Sequence, residues 1–284
     1  MGAKRSRGEM EGKEQDGTAQ RTSPFMPMFE TFRSELDEHH DRRERIIKAS
    51  RDITASSKKI IFTLQRIRAL KEPLPQHAIK SNKQYRDTIK TQFASVFRDL
   101  QGLNAHRYNR QITGGCQEWM EAASFQHYLE TATLITYDDA RELLRGLDTE
   151  GPGVELSPED YVLGIYDMTG ELMRFAITAM ATSGELPKIS TTSATDGEEM
   201  DVDSKTAAQQ RSVLTDMREL RSALEGLDTG VGPFAKDADK KMEVMKQSVE
   251  KVEKALYGLI VRGAERPKGW MPDMDGGRAV EVEG

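Results

Sequence analysis

The stretch Asp160-Tyr-Val-Leu-Gly-Ile-Tyr-Asp-Met-Thr-Gly-Glu-Leu-Met-Arg174 decides the fold of this chain, because it predicts a buried helix with a marked start. Just before it, Ser157 is a suitable N-cap and Pro158 lies at the first helical position, while Asp160 completes a capping box. Apolar residues then recur every three or four positions, as one buried stripe requires: Tyr161, Ile165, Met168, Leu172, Phe175 and Ala179. We predict that the helix runs to about residue 182.

Two acidic residues of this helix do not fit the apolar pattern. Asp167 and Glu171 are four residues apart, so their side chains lie one above the other, on a ladder that also holds Leu163 and Phe175. Such a pair repels by about 0.2–0.5 kcal/mol on an exposed helix, and by more when it is partly buried. The sequence therefore predicts compensation by a basic residue or by a cation.

A second acidic pair lies in the stretch Gln117-Glu-Trp-Met-Glu-Ala-Ala-Ser-Phe125. Glu118 and Glu121 share one helical face there, and Ala122 lies one turn beyond them, so this pair also borders an apolar surface. If the two helices pack together, four carboxylates converge, and an all-oxygen site suits Mg²⁺ or Mn²⁺ rather than zinc. The alternative is that each pair is a solvated helix flank, which spacing alone favours.

The same two stretches resemble Trax, the translin-associated factor X branch of the translin family. The resemblance extends over roughly residues 28 to 265. It is carried by these sequence motifs: Glu35-Leu-Asp-x-His39, Ser50-Arg-Asp-Ile-Thr54, Ser57-Lys58, Gln117-Glu118-x-x-Glu121-Ala, Ser124-Phe-Gln-His127, Asp160-Tyr-x-Leu-Gly164, Asp167-x-Thr-Gly-Glu171-Leu-Met-Arg174, Lys251-Val-Glu253 and Val261-Arg-Gly263. Translin, the sister branch, shares the fold pattern but lacks the acidic set. Asp167 in particular places the resemblance on the Trax side.

The resemblance implies a function. It implies the catalytic subunit of a translin–Trax endoribonuclease, with Glu118, Glu121 and Asp167 as catalytic ligands of Mg²⁺, or of Mn²⁺ in its place. Glu171 completes the metal site, either directly or through water. The ion would activate a water molecule against the phosphodiester and stabilise charge on the phosphate oxygens. The implied substrates are short single-stranded RNAs, namely small-interfering passenger strands and tRNA-precursor leaders, with single-stranded DNA as a further ligand.

Two other functions remain open from the residues alone. The chain has no Gly-rich phosphate loop, no Ser or Cys nucleophile constellation and no CxxC pattern, so any catalysis must come from the carboxylates. A non-catalytic nucleic-acid-binding subunit, or a helical scaffold for translin, would have the same fold and the same basic helix. These alternatives separate at the acidic residues, which a scaffold has no reason to cluster.

A long amphipathic helix is predicted from Met28 to Leu70. Its apolar residues follow a seven-residue repeat, which favours packing along a bundle seam. These residues are Phe29, Phe32, Leu36, Ile46, Ile53, Ile60, Leu64 and Ile67. Residues 42–68 carry nine Lys or Arg against two acids. A solvated basic face and a surface that binds RNA are equal alternatives for these side chains. We expect RNA phosphates to contact four basic residues, namely Arg51, Lys58, Lys59 and, beside Glu171, Arg174.

The remaining pattern predicts an all-α, translin-like fold of about seven helices in one bundle-like domain, residues 26–265. Beyond the first helix and the one at Ser157, the predicted helices cover about residues 77–100, 105–131, 136–147 and 213–227. A last helix contains the apolar stripe Met242–Leu259 and ends at Gly263. Residues 1–25, 183–205 and 266–284 have no apolar period, and we expect them to be disordered. His106 and His127 lack the partner of a zinc site, so we interpret them as structural or close to RNA.

Composition limits the setting in which the chain works. The net charge of −6 becomes +1 once residues 191–204 and 264–284, together −7, are set aside, so the helical part is not acidic. Cys116 is the single cysteine and fits the core of a protein in a reducing compartment. No apolar run approaches the ~18 residues that span a bilayer, and no signal peptide is apparent. We expect a cytoplasmic and nuclear protein, with Lys4-Arg5-Ser-Arg7 as a weak import signal or a solubilising tail.

Overall fold

The computed structural model describes residues 23–147, 151, 153–189 and 211–262. Most of the predicted tails (residues 1–25 and 266–284) and of the predicted acidic insert (residues 183–205) lie outside these residues. The predicted import signal also lies outside them. Within the described ranges the chain forms seven α-helices and no β-strand, which confirms the all-α class. The helices are α1 (Met26–Leu64), α2 (Gln76–Val96), α3 (Leu103–Thr131), α4 (Tyr137–Arg145), α5 (Pro158–Ser183), α6 (Val213–Glu225) and α7 (Pro233–Arg262), with one 3₁₀ turn at Phe97–Leu100.

The chain divides into two compact units, residues 1–42 (the first unit) and residues 43–284 (the second unit). The described part of the first unit is the start of α1. Its large apolar side chains are all exposed, because no other described element of that unit packs on them: Phe25, Met26, Met28, Phe29, Phe32 and Leu36. The predicted packing of Phe29, Phe32 and Leu36 along a bundle seam is therefore not seen within the described part of this unit.

In the second unit, the rest of α1 buries its predicted seam. Ile46, Ile53 and Ile60 lie in the main hydrophobic core. The helix ends at Leu64, however, six residues earlier than predicted. Ile67 stays buried beyond that end, where the backbone N–H of Lys71 donates to the carbonyl of Leu129 at 2.9 Å. The segment is thus held by a last turn, in which the N–H of Ile67 donates to the carbonyl of Leu64 at 2.9 Å, and then by α3. The apolar repeat therefore continues after the α-helix has ended.

Helix α5 packs against α3 and against α7. Gly164 permits the close approach to α3, since a Cβ there would lie 2.6 Å from Cβ of Met120 and 3.0 Å from the carbonyl oxygen of Gln117. The predicted cap is present, because the hydroxyl of Ser157 accepts a hydrogen bond from the Asp160 N–H at 3.1 Å. The buried Asp160 carboxylate also accepts hydrogen bonds from the Thr113 hydroxyl and from the Gln117 amide, which ties the start of α5 to α3.

Backbone contacts join the described residues on either side of residues 190–210, a stretch that includes most of the acidic insert. The N–H of Ile189 donates to the carbonyl of Arg211 at 2.8 Å, and Lys188 pairs with Ser212 in an isolated antiparallel bridge. Arg211 in turn makes two hydrogen bonds to Asp216, at 2.7 and 3.0 Å. These contacts fix α6 to the bundle whatever the insert between them does. None of the described helices is long and apolar enough to cross a membrane.

Candidate functional site

The predicted acidic residues of α3 and α5 meet in one cavity of about 300 Å³. Glu118 and Glu121 reach it from α3, and Asp167 reaches it from α5. The close α3–α5 packing at Gly164 brings them together, since Asp167 lies about one turn after that glycine and Met120 lies between the two glutamates in sequence. We call this cavity the acidic cavity.

Glu171, the fourth predicted ligand, has different surroundings. Its side chain is buried, and the carboxylate accepts a hydrogen bond from the amide of Gln65 at 2.8 Å. Nε of Arg174 lies 3.6 Å from the same carboxylate oxygen, Oε2. Glu171 does not line the acidic cavity, so its influence there is electrostatic.

Two lysines supply the compensation that the acidic pairs require. Lys241 of α7 donates to the Asp167 carboxylate and to the carbonyl of Leu163, the latter at 3.3 Å. Nζ of Lys58 lies 3.6 Å from Oε2 of Glu118. The sequence indicates the need for a positive charge, but it does not identify Lys241, which lies 74 residues away from its partner along the chain.

Even with these lysines, the acidic cavity holds an excess of carboxylate. Burial above all, together with the negative charges of neighbouring carboxylates, raises the pKa of Glu121 to about 8, although Lys241 acts in the opposite direction. These carboxylates belong to Glu118, Asp167 and Glu171. Burial also raises the pKa of Glu118, although Lys58 acts in the opposite direction. A carboxyl with a pKa of about 8 is mostly protonated at pH 7. Glu121 therefore carries a proton where an added cation would otherwise balance the charge.

The carboxylates have the right chemistry for a metal, but lysines now balance their charge. Oxygen donors of this kind are those that hard divalent ions prefer. Among the described residues, however, no three His, Cys, Asp or Glu side chains are grouped closely enough to hold an ion as they stand. A metal would therefore have to compete with Lys58 and Lys241 for the carboxylates. Neither of the two histidines considered in the sequence analysis lines this cavity. The ring of His127 makes a hydrogen bond to the Thr133 hydroxyl at 3.1 Å, and His106 is exposed elsewhere on α3.

Of the four predicted RNA-binding residues, Lys58 contacts Glu118 and Arg174 contacts Glu171. Arg51, Lys58 and Lys59 are exposed on α1. Arg51 and Lys58 are seven residues apart and share a face, which is the face that reaches Glu118. Arg174 is exposed on α5 and is the partner of Glu171. The structure thus places positive side chains close to the acidic cavity, without showing what they bind.

This protein is a helical bundle. Two neighbouring helices present a carboxylate cluster, and a basic helix lies beside it. The chain belongs to the translin family, since residues 41–263 match the family's sequence profile. This confirms the resemblance found in the sequence.

The similarity is stronger to Trax-type members than to translin. The chain is 33% identical to translin-associated protein X of Mus musculus, over 93% of this chain and 87% of that protein. It is 32% identical to the translin-associated protein X homolog of Schizosaccharomyces pombe, over 84% of this chain and 89% of that protein. Human translin is 25% identical over 80% of this chain and 89% of its own length.

A solved structure shares the fold. The structure of AfC3PO in complex with duplex RNA superposes with a TM-score of 0.54 and 18% identity, covering 84% of this chain and all of that one. At this identity the likeness shows the fold alone. It agrees with the all-α architecture described above.

Proposed function

We propose that this chain is the catalytic subunit of a Mg²⁺-dependent endoribonuclease that works in complex with translin. The observation that carries the proposal is the convergence of Glu118, Glu121 and Asp167 in one cavity, where the pKa of Glu121 is raised to about 8. A purely structural helix pair gains nothing from such repulsion. The similarity to translin-associated protein X supports this proposal, and the complex of AfC3PO with duplex RNA supports RNA as the class of ligand.

The side chains divide the chemistry among themselves. Glu118, Glu121 and Asp167 would hold the ion, with Glu171 acting on them through charge. When bound, Mg²⁺ or Mn²⁺ supplies Lewis acidity for attack of water on a phosphodiester. Lys58 and Lys241 line the same cavity, so their ammonium groups offer the positive charge that a phosphate needs beside carboxylates. The Glu121 carboxyl, close to half-ionised near pH 8, can give up its proton when a cation arrives.

The ligand is proposed to be short single-stranded RNA, including small-interfering passenger strands and tRNA-precursor leaders, with single-stranded DNA as a further ligand. Arg51, Lys58, Lys59 and Arg174 would contact its phosphates, which explains why an overall acidic chain can bind a polyanion. Cleavage of such RNAs is consistent with a protein located in the cytoplasm and the nucleus. These assignments rest on the family.

The test is cleavage of a single-stranded RNA by the full chain mixed with translin, in Mg²⁺ and in chelator. We expect Asp167→Asn and Glu121→Gln to reduce cleavage by a factor on the order of a hundred or more. Asp167→Asn removes a preorganised charge, and Glu121→Gln removes a carboxyl that can ionise when the ion binds. RNA binding should persist, since the basic residues are unchanged. Asp237→Asn is a matched control, because Asp237 is an exposed acid of α7 outside the cavity. Cleavage by both cavity variants at the wild-type rate would contradict the proposal.

One observation favours a second candidate, a non-catalytic nucleic-acid-binding subunit. The carboxylates are paired with lysines, and among the described side chains no group of three is ready to hold a metal. If this candidate is correct, the wild-type complex binds RNA with strong salt dependence but leaves it uncut in Mg²⁺. The same assay therefore separates the two functions.

A further inference from the structure

Phe62 is an aromatic side chain of α1 that is 56% exposed next to the acidic residues. It follows Lys58 by four residues and precedes Gln65 by three, so the three side chains share one face. Lys58 reaches Glu118 at 3.6 Å, and Gln65 reaches Glu171 at 2.8 Å. Phe62 therefore lies between the two contacts that join this end of α1 to the acidic residues of α3 and α5.

The Phe62 ring already holds a planar cation. The guanidinium carbon of Arg66 lies 4.8 Å from the ring centroid, which is a cation–π contact. Single exposed apolar residues are common and need no special role. Phe62 differs because basic side chains surround it: Lys58 and Lys59 lie about one turn before it, and Arg66 lies on its ring. Aromatic rings combined with positive charges form the usual surface for single-stranded nucleic acid.

We propose that Phe62, with Arg66, is a stacking site for an unpaired base of the strand whose phosphates pass Lys58 and Lys59. The inference rests on the proposed nucleic-acid function and adds a positioning residue to it. Every base has a π-face, so such a site accepts different sequences. A base inside a duplex has both faces covered by its neighbours, so the site selects unpaired nucleotides. Stacking next to Glu118 would hold the adjacent phosphodiester near the acidic cavity.

Binding is measured with the full chain mixed with translin, in chelator, using a short single-stranded RNA that carries 2-aminopurine. We expect Phe62→Leu, which keeps the apolar volume but removes the ring, to weaken binding about tenfold. It should also abolish the fluorescence quenching that stacking causes, and Phe62→Trp should restore both. The salt dependence of the Phe62→Leu complex should stay as in the wild type, because stacking releases no counterions. Replacing Lys58 and Lys59 by Ala should instead flatten that dependence equally for different RNA sequences.

Tyr257→Ala is the matched control, because Tyr257 is an exposed aromatic residue of α7 outside the acidic cavity, and it should leave RNA binding unchanged. Wild-type affinity and quenching in Phe62→Leu would overturn the inference. Equal losses in Phe62→Leu and Phe62→Trp, or loss of translin association in Phe62→Leu, would also overturn it by indicating a packing role. Because no Mg²⁺ is present, failure here leaves the proposed cleavage untouched. Absence of cleavage in Mg²⁺ would likewise leave the stacking result standing.

Discussion

At the scale of single residues, Lys241 acts as an internal counter-ion of the acidic cavity. Its ammonium group binds the Asp167 carboxylate, so an entering divalent ion competes with it and is repelled by it. A unit charge at such short range is worth on the order of 1–2 kcal/mol against a divalent ion even when well screened, which is about tenfold in affinity. We therefore expect Lys241→Met to bind Mn²⁺ about tenfold more tightly, as measured by the paramagnetic resonance of free Mn²⁺. Lys240→Met, a charge loss at an exposed neighbour, should change little, and an unaltered Kd in Lys241→Met would contradict the competition.

Glu121 gives the metal-free protein a pH-dependent stability. Its pKa is about 8 in the folded chain against an ordinary 4.5, so the folded state holds the proton more tightly than the unfolded state. The stability from this proton is fully present below about pH 4.5 and is lost as the pH rises to about 8. Glu121→Gln should therefore be stabilised relative to the wild type by more at pH 8 than at pH 5, by a few kcal/mol at most. Urea unfolding in chelator at both pH values measures this.

The exposed acid Glu250, replaced by Gln, is the control and should leave the difference between the two pH values unchanged. An identical pH dependence in Glu121→Gln and the wild type would show that the pKa of Glu121 is not raised. Asp167→Asn should behave differently from Glu121→Gln, although the sequence predicts relief of repulsion at both positions. Asp167 is paired with Lys241, so its replacement also removes an attractive contact.

At the scale of helices, the acidic cavity depends on how closely α3 and α5 approach. Gly164→Ala would place a Cβ 2.6 Å from Cβ of Met120, against a side-chain root and a backbone carbonyl that cannot swing away. We expect a loss of about 1–3 kcal/mol in the free energy of unfolding, together with weaker Mn²⁺ binding. Gly170→Ala in the same helix meets no atom within 4 Å and should gain about 0.5–1 kcal/mol, since alanine is the better helix former. Equal stability of the two variants would show that Gly164 does not set the spacing.

The helices themselves could be predicted because their signals are local. Ser157 caps α5 as expected, and Thr136 caps α4 in the same way, since a cap needs only its own residue and the third residue after it. The early end of α1 at Leu64 could not be predicted, because the following segment is held by Leu129, far away in sequence. The same limit applies to the site. Periodicity gives the face of each acidic pair, but the partner Lys241 is set by α5–α7 packing, which no local pattern encodes.

At the scale of the whole molecule, the apolar surface that stays exposed indicates a protein partner. Phe25, just before α1, and Phe29, Phe32 and Leu36 on its first turns are spaced by three or four residues, so they form one stripe. Met28 borders this stripe, and all five side chains are at least 45% exposed. A stripe of this kind is the apolar face that a helix lays into a groove or a bundle seam of another protein. The similarity to translin-associated proteins makes translin the expected partner.

We therefore expect the purified chain to associate with itself or aggregate when alone, and to form a defined complex when mixed with translin. Light scattering coupled to size-exclusion chromatography measures both states. Phe29→Asp with Phe32→Asp should weaken the complex strongly, because each charge would be buried without a partner at the interface. Leu103→Asp, at an exposed apolar residue at the start of α3, is the matched control and should assemble normally. A monodisperse wild-type monomer that does not associate with translin would contradict the proposed translin interface. Normal assembly of the Phe29/Phe32 variant would place the interface elsewhere on the chain.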